Sequence, residues 1–311
     1  MAVPIDPVVI SVADDPTAAT STTKVSGAGR GRLVLERFLA KKLAVAGLVV
    51  LLLLFVLAFV GPLLSPWTHT SKDFDAFLEP PSSEHWFGTT QIGQDVYAQT
   101  LRGLQKSLVI GLLAALCSTA IAAAVGACAG YFGGRTERAL MWLVDLLLVV
   151  PALFVVAILG PSLHGRTWLV LALLLAGFSW MVTARVVRGQ ARGLRDREFV
   201  QAARFMGVPS GVIIFRHLLP NMSSLLVIDA TINVAGAILA ETGLSYLGLG
   251  VQPPDISLGT LIADGTRSAL TFPWLFLFSG ALLVLTVLAV SAVGDGLRDA
   301  LDPGVTPRSA R

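Results

Sequence analysis

Long runs of apolar residues alternate along this chain with short polar or basic connections. A hydrocarbon core about 30 Å thick asks for roughly 20 apolar residues per helix. Six runs meet that length: Leu43 to Leu64, Ser107 to Tyr131, Leu140 to Leu159, Trp168 to Ala184, Leu225 to Leu244, and Trp274 to Val293. They are rich in Leu, Ala and Val, and all but the fifth hold at most one Asp, Glu, Lys or Arg, which predicts helices rather than barrel strands. The fifth run carries Asp229, Asn233 and Glu241. An all-α membrane protein with six transmembrane helices is expected.

Composition agrees with that pattern. Of 311 residues, 54% are apolar and 14% charged, and the mean hydropathy is +0.75. Soluble domains carry about 25% charged residues, so an ordinary water-soluble enzyme is excluded. The net charge of +3 and pI near 9.1 would suit a nucleic-acid binder, but the basic residues stand between the hydrophobic runs, so no nucleic-acid partner is expected. Eighteen of the 23 Lys and Arg fall ahead of the first run, in the second and fourth connections, or in the C-terminal tail; Lys72, Arg102, Arg166 and Arg267 occupy the other connections. Cytoplasmic loops retain positive charge, which predicts both termini in the cytoplasm.

The expected organisation is a disordered basic tail over residues 1–31, an anchor helix with a long outer loop over 32–100, a helical core over 101–302, and a short tail over 303–311. The polar N-terminal stretch carries no cleavable signal, and the first apolar run is long enough to stay in the membrane. Cys117 and Cys128 stand eleven residues apart in one helix, about 16 Å along its axis, too far for a disulfide, so they read as packing residues.

Nothing in the chain matches the phosphate-cradling G-x-x-x-x-G-K-[ST] loop, and there is no Gly-Lys pair. His69, His85, His164 and His217 are scattered over different connections, with no metal-ligand spacing. No catalytic residue, bound cofactor or metal is expected, and the chain is not read as an enzyme. Intramembrane acids are the usual sign of ion coupling. Asp145, Asp229 and Glu241 are the candidates, each readable as a pathway acid or as a carboxylate paired near a helix end or facing a watery cavity. Asp229 and Glu241 are twelve residues, about 18 Å, apart, too far for a direct proton hop. An ion-coupled secondary carrier would also show repeated halves or broken helices around a midplane site.

The basic connection from Arg185 to Pro220 is unlike a linker. Phe199, Ala203 and Met206 fall on one stripe of a short amphipathic helix that Glu198 opens, and Gly207 and Pro209 end it. A second short run, Val212 to Leu219, stops at Pro220. Two brief helices with a bend predict a docking element, with Gly207 at the bend and Ala203 on a face that touches a groove of the partner.

This connection resembles the loop of ATP-binding-cassette importer permeases, with its Glu-Ala-Ala triplet, following Gly and Leu-Pro. The matching residues are Gln201, Ala202, Ala203, Gly207, Leu219 and Pro220, with Gln201 standing where the pattern has Glu. Other segments resemble the C-type permease subunit of oligopeptide and dipeptide importers. They include His85-Trp86-Phe87-Gly88-Thr89 with Gly93-Gln94-Asp95-Val96, and Ala129-Gly130-Tyr131-Phe132-Gly133-Gly134. Phe215-Arg216-His217 with Leu219-Pro220-Asn221, Ile238-Leu239-Ala240-Glu241, Leu247-Gly248-Leu249-Gly250-Val251-Gln252-Pro253-Pro254 and Gly294-Asp295-Gly296-Leu297-Arg298-Asp299-Ala300-Leu301-Asp302-Pro303 complete the set.

The resemblance implies a type I importer permease in a bacterial cytoplasmic membrane. It implies a heterodimer with a sister permease, two ATPase subunits or one fused ATPase that consume ATP and Mg, and an extracytoplasmic peptide-binding protein. The substrate would be oligopeptides or dipeptides, with a non-peptide cargo such as a metal complex as the alternative. Residues 198–207 would carry the ATPase motion to the bundle. Ala122, Gly126, Gly130 and Gly134 would allow a close helix crossing, for sliding or for static packing. The loop from Ser65 to Arg102, with Gln252 to Asp264, reads as a docking surface for the binding protein or as a solvated cap.

Overall fold

The computed structural model describes residues 30–159 and 167–301. Of the expected tails over 1–31 and 303–311, residues 1–29 and 303–311 lie outside the described residues, while 30 and 31 begin the first helix. The described chain is helical, with two isolated β-bridges, Lys72 to Gln94 and Thr89 to Asp95, in the connection that follows the first span. In chain order the helices are α1 (Arg30–Leu39), α2 (Lys42–Val60), α3 (Val96–Phe132), α4 (Gly134–Val149), α5 (Ala152–Leu159) and α6 (Thr167–Arg195). They continue as α7 (Glu198–Phe205), α8 (Ser210–Val212), α9 (Leu219–Asn221), α10 (Ser223–Tyr246), α11 (Leu258–Thr266) and α12 (Trp274–Leu301). A 3-10 turn, Gly61–Leu63, follows α2, and a π-helical turn, Ile213–Leu218, joins α8 to α9.

Helices α2, α3, α6, α10 and α12 are each long and apolar enough to cross a membrane. The expected third span is broken: α4 and α5 meet at 73°. Pro151 is the cause, because it holds Val150 in an extended conformation (φ −77°, ψ 116°) and supplies no N–H to continue the ladder. Among the described residues there are therefore five unbroken candidate spans, and a sixth when the bent pair is counted as one.

Three spans outrun their expected bounds, α12 by eight residues past Val293. Helix α3 has 37 residues, about 55 Å, because Asp95 caps it far upstream of Ser107 by accepting from the Ala98 N–H at 2.7 Å. The hydropathic pattern misses this first part because residues 96–106 are mixed in polarity. Helix α6 runs eleven residues past Ala184, through arginines that are good helix formers. The connection expected from Arg185 therefore starts only at Asp196. Helices α1 and α11 were not expected; α11 is opened by a capping box between Ser257 and Thr260.

The α3 and α6 backbones touch. A Cβ on Gly126 would lie 2.5 Å from the Ala184 carbonyl oxygen, and one on Gly130 would lie 2.5 Å from that of Arg188. Ala122 is buried on the same line, as the spacing implied, whereas Gly134 lies outside the crossing and begins α4. Beyond the crossing, Asp145 pairs with Arg185 and Glu137 with Arg188, tying α4 to α6. The connection over 64–95 is fastened to α12, where Phe87 stacks on Phe278 at 3.9 Å and the Trp274 indole N–H donates to the Thr89 carbonyl at 3.3 Å. Cys117 and Cys128 are both free thiols.

Gly130→Val should lower the thermal midpoint of the detergent-purified protein, since overpacking against backbone costs about 1–3 kcal/mol. Gly177→Ala, whose added Cβ meets nothing within 4 Å, should leave the midpoint unchanged or raise it. Fluorescence-detected melting of the two variants beside the parent checks both.

Candidate functional site: the 196–222 element and the intramembrane acids

Helix α7 starts at Glu198, with Arg197 extended before it. Its inner face consists of Val200 and Ala203, packed with Ala127 and Tyr131 of α3, Val187 and Ala191 of α6, and Ile213 and Ile214. The expected stripe is therefore rotated. Ala203, 3% exposed, is an anchor inside this chain and offers nothing to a partner, while Phe199 and Met206 point away from the core. A helix so short turns its hydrophobic face wherever the supporting core lies, and here α3 and α6 supply that core.

The helix ends in a Schellman arrangement. The Val208 N–H donates to the Ala203 carbonyl at 3.1 Å and the Gly207 N–H to that of Arg204 at 3.0 Å, with Gly207 at φ +76°. Gly207 thus sits at the bend, as expected, and its backbone conformation, rather than crowding, is what asks for glycine. Gln201 lies beside the start of α7, its side-chain N–H₂ 3.5 Å from the Arg195 carbonyl. Ala202 is exposed.

After Pro209 the chain is helical again to Asn221, with its ladder widened to a π-turn over Ile213–Leu218. Pro220 has no N–H to give the Arg216 carbonyl, and the Asn221 side chain donates to the His217 carbonyl at 2.6 Å. Leu219 is half-buried against the α3/α6/α7 core and Pro220 is exposed. Both short helices anchor through one core and leave large apolar side chains outside: Phe205 is 89% exposed, Met206 76% and Phe215 69%. Sequence reasoning missed Phe205 and Phe215. In the pattern they are two apolar residues of the connection with no role assigned, and only the fold shows that they are exposed.

The three acids are held separately. Asp145 faces Arg185 in a partly exposed pair. Asp229 accepts from Thr119 of α3 and Thr183 of α6, each at 2.7 Å, and from Asn233 at 2.9 Å, so it joins three spans. Glu241 is fully buried, and its Oε1 accepts from Ser245 and Ser257, both at 2.6 Å. Ser257 is the N-cap of α11, and the next N–H, that of Leu258, donates to Ser107 on α3. Glu241 therefore fastens α10 to the start of α11.

Residues 107–307 match the family model of the binding-protein-dependent transport system inner membrane component, and residues 29–81 match that of the N-terminal transmembrane domain of oligopeptide transport permease C. The chain belongs to this permease family. It is 57% identical over 277 residues to the oligopeptide transport system permease protein OppC of Mycobacterium tuberculosis, covering 89% of this chain and 95% of that one. It is 41% identical over 273 residues to a putative peptide permease protein of Brucella suis (86% and 89%), and 36% identical over 268 residues to OppC of Bacillus subtilis (86% and 87%). This is therefore a membrane-embedded permease subunit of the ATP-binding-cassette class.

In this permease two further contacts lie where the sequence showed only scattered charge. Lys106 pairs with Asp255 at 2.8 Å and sits 4.2 Å above the Trp168 ring, linking α3, the 247–257 connection and α6. His85 is buried in the 64–95 segment, with Nδ1 2.9 Å from Asp95 and Nε2 3.5 Å from Asp73. The ten-residue spacing of His85 and Asp95, inside a segment quoted for its resemblance, was the available signal. Burial lowers the His85 pKa, but hydrogen bonds and charge from Asp95 and Asp73 outweigh it, and the net shift is upward from 6.5.

A raised folded-state pKa stabilises the segment fully below the unfolded value of about 6.5, and that contribution is lost as pH rises through the folded value. Protection of amides within 72–95, taken relative to the intrinsic exchange rate at each pH, should accordingly be weaker at alkaline than at mildly acidic pH. His85→Gln should flatten this dependence. An unchanged pH profile in that variant would show that the ion pair does not hold the segment.

Proposed function

We propose that this permease is one half of the pathway of an ATP-driven importer for oligopeptides or dipeptides in a bacterial cytoplasmic membrane. A sister permease completes the pathway, an extracytoplasmic binding protein delivers the peptide, and separate or fused ATPase subunits consume ATP and Mg. The peptide cargo is supported by the names of the relatives, two of which are called oligopeptide transport system permease proteins. Both termini and the 196–222 element face the cytoplasm in this reading, supported by the distribution of Lys and Arg.

The observation that carries the proposal is the exposed trio Phe205, Met206 and Phe215 on an element whose opposite face is locked into α3 and α6. Large apolar side chains exposed on a basic segment mark a protein contact rather than a solvated loop. Because Val200, Ala203 and Ile213 are fixed to the spans, a push on the trio by an ATPase closing around ATP would be passed to α3 and α6. Gln201 and Ala202 flank the trio, and Gly207 with Leu219 and Pro220 sets the angle between its two helices.

Phe205→Glu and Phe215→Glu should leave the membrane level of the protein and its melting point unchanged, yet release co-purifying ATPase subunits by tenfold or more and abolish uptake. Interface hot spots cost about 2 kcal/mol or more, which exceeds tenfold in affinity. Ala203→Leu should instead destabilise the chain itself. Full ATPase retention with normal uptake in both Phe variants would remove the coupling role. Orientation is checked separately: a cysteine at Ser83 should react with an impermeant thiol reagent in intact cells, and one at Ser210 should not.

A further inference from the structure

Beside the end of α2, the 64–95 segment and Tyr97 line a half-open pocket of about 310 Å³. Three of its walls are the aromatic rings of Trp67, Trp86 and Tyr97, and two more lining residues are Glu84 and Asp95. No Lys or Arg among the described residues lines it. Trp86 stands edge-on to Tyr97, with ring centroids 4.8 Å apart at 69°, so the two rings form a corner rather than a stack. Asp95 is held rigidly as the N-cap of α3 and by His85. The Glu84 carboxylate is exposed at the rim. Both Asp95 oxygens are already engaged, Oδ1 by the Ala98 N–H and Oδ2 by His85, so the free carboxylate is that of Glu84; with the exposed Trp86 ring beside it, it is the chemistry that recognises an organic ammonium.

The position of the cavity says where that ammonium comes from. Ser65, Pro66 and Trp67 line it directly after the end of α2, and the Tyr97 hydroxyl lies 3.5 Å from the Gly61 carbonyl. Helix α2 exposes Leu52, Leu53, Val56, Phe59 and Val60, and the exposed run continues through Leu63 and Leu64 to the cavity. An apolar path thus ends at a cation-binding pocket at the level where a span leaves the hydrocarbon. The Trp67 indole N–H is buried without an acceptor among the described residues, a donor left for an oxygen. We infer that this pocket holds the ammonium headgroup of a membrane lipid, phosphatidylethanolamine being the probe of choice, with acyl chains along Leu63 and Leu64. The site depends on the membrane-spanning fold and not on the transported substrate.

The full-length permease, purified with the subunits it carries, is placed in nanodiscs of equimolar phosphatidylethanolamine and phosphatidylglycerol, and retained lipid is read by native mass spectrometry. Retention of the ethanolamine lipid should exceed that of the glycerol lipid by about tenfold, the scale of a partly desolvated cation–π and carboxylate contact. Glu84→Gln and Trp86→Ala should each remove most of that preference. Both side chains are exposed, Trp86 by 48%, so the fold is expected to survive, and Trp86→Tyr should keep the preference by restoring an aromatic face. Equal retention of the two lipids, as a plain interfacial aromatic belt would give, overturns the inference, as does a preference that persists in both variants. Binding of free tetramethylammonium without selective lipid retention would assign the pocket to a soluble cation and likewise overturn it.

Discussion

Where Gly126 and Gly130 carry no side chain, the backbones of α3 and α6 meet directly, and much of the remaining architecture is set by that crossing. In lipid there is little hydrophobic drive between helices, so close packing through small residues is what holds two spans at a defined distance and angle. The crossing is continued by the buried Ala127, Tyr131, Val187 and Ala191, which form the seat for Val200, Ala203 and Ile213. The 196–222 element is therefore fixed to the two spans through this seat. Its exposed apolar residues are presented by this seat and not by any feature of the short helices themselves.

Polar contacts within the bundle act as fasteners between helices. Asp229 draws hydroxyls from α3 and α6 together with Asn233 of its own helix, and Glu241 reaches the cap of α11. Lys106 does the same between the 247–257 connection and Trp168. Burying a carboxylate or hydroxyl is expensive unless it finds partners, so each such group restricts how its helices can be arranged. Asp145, Asp229 and Glu241 are each held by donors of this chain, which fixes the helices that carry them.

The number, type and approximate placement of the spans were legible in the amino-acid pattern, because a bilayer demands long apolar runs and satisfies backbone groups only within helices. The break at Pro151 and the bend at Gly207 were carried by local chemistry: one residue lacks an N–H, the other tolerates positive φ. Gly207 was read for its bend in advance, whereas the break at Pro151 was hidden inside an unbroken apolar run. The family resemblance was equally local, residing in short motifs that can be quoted from the chain.

What only the tertiary structure decided is direction and partnership. The pattern placed Ala203 on an outward docking face, and the fold turned it inward, because an eight-residue helix takes its orientation from the core beneath it. His85 looked like one of four unrelated histidines until the segment closed it between Asp95 and Asp73. Asp229 and Thr119 are 110 residues apart in the chain and 2.7 Å apart in space. Periodicity reports which residues avoid water or lipid within one element. It holds no information about which side of a neighbouring element they will meet, since that depends on contacts between residues distant in sequence.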